Sequence, residues 1–141
     1  MQYDVLIVGG GPGGIYSAYE LLEKRPDLKI ALFEAGHALA RRHCPIDGVK
    51  VKSCVHCPTC AIMNGFGGAG AFSDGKLSLS TEVGGDLPQL IGEDAAQSLI
   101  QYTDSIYLEF GADEHVEGIA EKEAVKEIRK RAIQTGLKLV D

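Results

Sequence analysis

Apolar and polar positions along the chain follow two different repeats. Tyr3–Val8 is a short apolar run closed by glycine, the pattern of a buried parallel strand. From Gly13 to Arg25 the residues Ile15, Ala18, Tyr19 and Leu22 recur at helical spacing. Lys24 and Arg25 suit the negative end of that helix, and Pro26 stops it. A second apolar run, Ile30-Ala31-Leu32-Phe33, lies between Lys29 and Glu34. Strand, glycine turn, helix and strand within about 30 residues predict a right-handed βαβ crossover. Further on, residues 93–110 predict a helix with Ala95, Leu99, Tyr102, Ile106 and Phe110 on one face and Gly111 as its stop. A second helix is expected from about Ile119 to Thr135, with Val125, Ile128 and Ala132 inward and Gly136 at its end. Leu137–Val140 reads as the start of another strand. Between these regions Ala35–Ser80 has no clear period. A loop of that length in a compact domain is usually functional or wrapped around a ligand.

The fold class expected is therefore α/β: a Rossmann-like FAD/NAD(P)-binding βαβ unit, a long ligand-wrapping loop, and two helices that start a further segment. Residues 1–80 would form the nucleotide-binding unit with its loop, and 81–141 a helical segment leading into a strand. Two parallel strands are few for a doubly wound sheet. The chain is accordingly expected to be part of a larger enzyme, whose remainder could be a second chain.

Glycine is concentrated in two clusters, Gly9–Gly14 and Gly65–Gly75. The first contains G-x-G-x-x-G at Gly9, Gly11 and Gly14, between a predicted strand and a predicted helix. Gly9 would make the tight turn, Gly11 would let a pyrophosphate approach the backbone, and Gly14 would let helix and strand pack closely. Pro12 and Gly13 open the helix, whose amino end attracts phosphate. Glu34 follows Gly14 by 20 residues, at the end of the second strand, where a carboxylate accepts ribose hydroxyls. The plainer alternative is a glycine-rich turn in an ordinary α/β domain with Glu34 in solvent. Arg41 and Arg42 would reach the adenosine or pyrophosphate, or else stay solvated.

Asp4 to Gly14, followed by Phe33-Glu34, resembles the start of the glutathione-reductase-like flavoproteins. That resemblance implies that this unit holds the ADP half of FAD, a choice over NAD that the motif alone does not make. Gly65-Phe66-Gly67-Gly68-Ala69-Gly70-Ala71-Phe72-Ser73-Asp74-Gly75-Lys76, with Cys-Pro before it and Leu77-Ser78-Leu79-Ser80 after it, resembles a signature of a family of FAD-dependent dehydrogenases within that group. This second resemblance covers nearly the whole chain. It implies FAD as cofactor, with the Gly67–Lys76 loop near the pyrophosphate or the flavin ring. Gly67, Gly68, Ala69, Gly70 and Ser73 would expose N–H groups as an anion nest, and Lys76 would add a charge. Asp74 would either touch the ligand or cap its own turn. A flexible linker is the alternative, but such linkers seldom carry aromatics like Phe66 and Phe72.

Cys54-x2-Cys57-x2-Cys60, with Cys44-Pro45 upstream, places four thiols in the loop. Three cysteines at this spacing with a remote Cys-Pro match a ferredoxin-type iron–sulfur arrangement, except that Asn64 stands where the usual fourth cysteine would be. Zinc is the rival, with His43 or His56 as substitute ligands, and a redox dithiol or four unligated thiols are further readings.

Composition narrows the function. A hydrophobic content of 45% argues for a globular chain, and a net charge of −6 gives nucleic-acid binding no electrostatic support. The amino terminus lacks the features of a signal peptide and no run approaches the length of a membrane span, so a cytoplasmic protein without membrane association is expected. The leading expectation is a flavin-dependent oxidoreductase, with NAD(P)H as candidate electron donor and a small-molecule substrate or acceptor that the sequence does not name. An NAD-binding dehydrogenase domain and a non-catalytic electron-relay module are the alternatives. No residue stands out as a catalytic acid or base.

Overall fold

The computed structural model describes residues 2–73, 75–116 and 121–139. The chain divides into two compact units, Met1–Lys76 and Leu77–Asp141.

In the first unit the strand β1 (Val5–Val8) is followed by the helix α1 (Pro12–Lys24) and the strand β2 (Ile30–Phe33). The strands pair in parallel, Val5 opposite Ile30 and Val8 opposite Phe33. Asp4 fixes the register from below: its N–H donates to the Lys29 carbonyl at 2.9 Å, and its carboxylate accepts the Lys29 N–H at 2.8 Å. Pro12 at the first position suits a helix start, where its missing N–H costs nothing. Lys24 pairs with Glu20 one turn back, and the Arg25 N–H closes the last turn on the Leu21 carbonyl.

The expected buried strand is only half buried. Val5 and Ile7 turn toward α1, whereas Leu6 is 62% and Val8 87% exposed. One helix covers one face of a two-stranded sheet, and alternate side chains on the other face have nothing over them among the described residues. Leu22 likewise is exposed, while Ile15, Ala18 and Tyr19 are partly covered.

Beyond β2 the backbone is irregular apart from two 3₁₀ turns, Leu39–Arg41 and Ala69–Phe72. Gly10, Arg42 and Gly65 are the buried residues of this unit among those described. The centre of the unit is thus built from backbone and a guanidinium rather than from aliphatic side chains.

The second unit contains α2 (Leu87–Ile91), α3 (Glu93–Glu109) and α4 (Lys122–Gln134). The short α2 was not expected from the sequence. Both expected glycine stops are present. Gly111 and Gly136 have φ of +91° and +82°, and the chain ends α3 and α4 with paired bonds, Ala112 N–H to the Tyr107 carbonyl and Leu137 N–H to the Ala132 carbonyl.

The inward face of α3 agrees with the expected one at Ile106 and differs elsewhere. Ala96 and Ile106 are buried, but Ala95, Leu99, Tyr102 and Phe110 are exposed. Two apolar stripes run along this helix, about 100° apart, as one-residue shifts on a 3.6-residue repeat must be. The covered stripe includes Ala96 and Ile100, which periodicity alone does not rank above its neighbour. On α4, Val125 and Ala132 are partly covered and Ile128 is exposed. The expected start at Ile119 and the end of the expected strand at Val140 lie outside the described residues, and Leu137–Leu139 is not in a strand.

Candidate functional site

The first glycine cluster is shaped by close approach. Gly9 leaves the strand at φ +105°, and its N–H donates to the Phe33 carbonyl at 2.7 Å. A Cβ on Gly14 would stand 1.9 Å from the Gly9 carbonyl oxygen and 3.3 Å from Ile7 Cγ2, so no side chain fits between helix and strand there. Around Gly11 and Gly13 the situation is opposite: a Cβ on Gly11 would meet only Gly68 Cα, at 4.0 Å, and one on Gly13 would meet nothing. The amino end of α1 therefore offers open space beside N–H groups that have no acceptor within the helix.

Glu34 closes the turn. Its carboxylate accepts the Gly10 N–H and the Gly36 N–H, each at 2.7 Å. The Gly10 N–H, then the Gly36 N–H, hold the carboxyl below its ordinary value of 4.5, against the opposing effect of burial. The Gly65 N–H adds a weaker contribution, and of the roughly four acceptor positions of a carboxylate not all are taken.

The second glycine cluster lies directly on the first. Gly67 donates its N–H to the Gly10 carbonyl at 2.8 Å, and Phe66 donates to the His37 carbonyl at 3.0 Å. A Cβ on Gly68 would come within 3.2 Å of both Gly11 Cα and Pro12 Cδ. Gly65, Gly67 and Gly68 all have positive φ, a conformation that favours glycine.

Arg42 holds this loop in place. Its Nε donates to the Ala61 carbonyl at 2.8 Å and its Nη2 to the Ile62 carbonyl at 2.6 Å. Its Nη1 donates to the carbonyls of Phe66 at 2.7 Å and Gly68 at 2.8 Å. The guanidinium also stacks 4.8 Å from the Phe72 ring centre. Arg42 is 2% exposed, so the expectation that it either grips a ligand or stays in solvent gives way to a third role. Its donors are committed to four backbone carbonyls, and it shapes the wall of the site from behind. Arg41, at the end of its 3₁₀ turn, is exposed.

Other expected residues are arranged more loosely. Ala69 and Gly70 form the exposed start of a 3₁₀ turn, Ser73 Oγ accepts the Gly75 N–H at 3.2 Å, and Lys76 is exposed. Asp74 lies outside the described residues. Sequence reasoning missed Gly10, Gly36 and Gly65. Gly10 carried a signal, being a glycine at a variable position of its motif. A Cβ on Gly36 would stand 2.5 Å from the Gly65 nitrogen, a clash between residues far apart in the chain that no local pattern reveals.

All four cysteines are exposed free thiols and line one pocket of about 240 Å³ together with Pro45, Ile46, Val55, His56, Ala61 and Ile62. Among the described residues no three His, Cys, Asp or Glu side chains are gathered closely enough to hold one metal ion. Asn64 occupies the position of the absent cysteine and bonds to the Cys60 carbonyl through its backbone N–H at 2.8 Å.

Fold and turn geometry together define the class: the chain carries a Rossmann-like dinucleotide-binding domain with a βαβ unit. The family model of the NAD(P)-binding Rossmann-like domain matches residues 7–60. The chain is also similar to thiamine thiazole synthases. It is 60% identical over 37 residues to that of Phaeosphaeria nodorum, covering 26% of this chain and 11% of the synthase. The Yarrowia lipolytica enzyme is 57% identical over 37 residues (26% and 12%), and that of Coprinopsis cinerea 57% over 35 residues (25% and 11%). The matched segment thus spans about a tenth of the length of these relatives. No solved structure gives a significant match. No helix among the described residues is long and apolar enough to cross a membrane.

Proposed function

We propose that this chain is the FAD-binding portion of a flavin-dependent oxidoreductase. The observation that carries the reading is the stacking of the second glycine cluster on the first at the amino end of α1. One glycine wall is common to many nucleotide-binding domains. Two, fastened by the Gly67–Gly10 bond and braced by Arg42, suit a diphosphate that must be enclosed as well as anchored.

The residues fit such a group. The space beside Gly11 and Gly13 is open, and hydrogen bonds from Gly67 and Arg42 hold the neighbouring loop against the turn. Gly11, Gly13 and Gly14 would hold the pyrophosphate through N–H groups and the helix dipole, with Pro12 starting the helix. Glu34 would accept the adenosine ribose hydroxyls on its remaining lone pairs. Gly67, Gly68, Ala69, Gly70 and Ser73 would shield the far side from water, with Lys76 adding positive charge and Arg41 at the rim. FAD, when bound, would supply hydride acceptance and electron transfer, with NAD(P)H as candidate donor. The segment shared with the thiazole synthases is about the size of one βαβ unit, and on this reading what is shared is nucleotide binding.

An NAD(P)-binding dehydrogenase domain is the second reading, favoured by the description of the matching family. Titrating the chain with FAD, NAD and NADP in separate calorimetric experiments decides between them. Binding of FAD at least about tenfold tighter than either nicotinamide nucleotide is expected, a gap of about 1.4 kcal/mol. Tighter binding of NAD or NADP would overturn the flavin assignment.

A further inference from the structure

The geometry points to a second site in the same unit: a four-iron, four-sulfide cluster held by the thiolates of Cys44, Cys54, Cys57 and Cys60. Iron–sulfur clusters of this kind take four cysteines, and these four line a single pocket although Cys44 lies well upstream of the rest.

The chain is folded so as to bring Cys44 back. Asp47 Oδ1 accepts the N–H groups of Val49, Lys50 and Val51, at 2.9, 2.8 and 2.8 Å. Its own N–H donates to the Val51 carbonyl at 3.1 Å. This tight turn reverses the backbone between Cys44 and Cys54. Within the C-x2-C-x2-C run, His56 adopts φ +52°, and its N–H points at Cys54 Sγ, 3.4 Å away. A backbone donor aimed at a ligating sulfur is an outer-shell contact of the kind metal sites use.

The spread of the thiols favours a cluster over one ion. A single zinc at about 2.3 Å from each sulfur would draw the sulfurs to within about 4 Å of one another. Among the described residues no three ligand side chains gather that closely, yet all four cysteines line one pocket. A cluster places its metals at separate corners and accepts wider sulfur spacing. Apart from His56, the pocket's other walls are apolar (Pro45, Ile46, Val55, Ala61 and Ile62), with Ile46 and Val55 themselves 42% and 53% exposed. The carbonyls of Ala61 and Ile62 are also held by Arg42, so the guanidinium that braces the glycine loop fixes this wall too.

The test is anaerobic reconstitution of the purified chain with ferrous iron and sulfide, read by iron analysis, acid-labile sulfide and electron paramagnetic resonance after reduction with dithionite. These readouts do not depend on bound flavin, so their outcome is separate from that of the nucleotide titrations. About four iron and four sulfide per chain, with a cluster signal on reduction, are expected. Cys44→Ser and Cys57→Ser should each lose most of the iron while keeping the far-ultraviolet signal of the helices, and His43→Ala and His56→Ala should retain it. One zinc per chain without sulfide, or no bound metal, would overturn the proposal. Full cluster content in Cys44→Ser, or its loss in His43→Ala, would overturn the four-thiolate assignment.

Discussion

The Glu34 carboxylate accepts the Gly10 N–H at 2.7 Å, so the residue proposed to bind ribose also closes the glycine turn. Its folded-state pKa is depressed by that bond and by the Gly36 N–H. The charged form therefore stabilises the fold fully above the unfolded carboxyl value near 4.5, and the contribution is lost as pH falls through the lower folded value. Thermal unfolding followed from pH 6 downward, on the order of half-unit steps, should show a decline that is shallower in Glu34→Gln. Identical pH profiles for both proteins would remove the turn-closing role. Glu34→Ala is expected to weaken FAD binding by about tenfold or more.

Gly14 and Gly13 are neighbours with opposite expectations. Gly14→Ala would force a Cβ into the Gly9 carbonyl and should destabilise the first unit by about 1–3 kcal/mol or more. Gly13→Ala meets open space within α1 and should raise stability, by up to about 1 kcal/mol. Chemical denaturation of the two variants checks both signs, and equal midpoints would contradict the geometry.

Gly11→Val separates folding from binding. A Cβ there meets only Gly68 Cα, at 4.0 Å, so the variant should still fold, with a modest loss of stability as its Cγ atoms press on Gly68. Its branched side chain would fill the volume proposed for the pyrophosphate, and flavin content should drop to background. Flavin content equal to that of the parent would place the nucleotide elsewhere.

Arg42→Lys should be far from conservative. Lysine keeps the charge but loses the planar fork that satisfies four carbonyls at once. Buried carbonyls left without donors cost about 1–3 kcal/mol each, so a loss of roughly 2–4 kcal/mol is expected. Limited proteolysis should then cut first within 61–72. An unchanged cleavage pattern would mean that other contacts hold the loop.

The legible parts of this fold are those set by local chemistry. The G-x-G-x-x-G turn, the proline-started helix and the glycine stops at Gly111 and Gly136 follow from φ preferences and close approach within a few residues. What stayed hidden depends on distant partners. Arg42 reads as a surface residue until the carbonyls of residues 61–68 are known to surround it. The inward stripe of α3 was ambiguous because Leu99 and Ile100 offer equally apolar neighbours, and only the position of α2 and its loop chooses between them. The composition of β1 is that of a strand covered on both faces, whereas one helix covers it here and leaves it half exposed. The cysteine spacing suggests a common site, whereas the Asp47 turn between Cys44 and Cys54 has no pattern specific enough to recognise.

The bond from Gly67 to Gly10 also has a meaning in time. It joins residues 57 positions apart, whereas β1, α1 and β2 assemble from neighbours within about 30 residues. Closing the larger loop costs more chain entropy and gains little apolar burial in return, since its partners are mostly glycine. The loop should therefore dock last as the chain folds and detach first when it fluctuates. Amide exchange reads this directly: the Gly67 proton should leave well before that of Gly9, which is locked to Phe33 within the sheet. A wall that opens more easily than the rest of its unit gives a bulky nucleotide a way in without unfolding the strands beneath it.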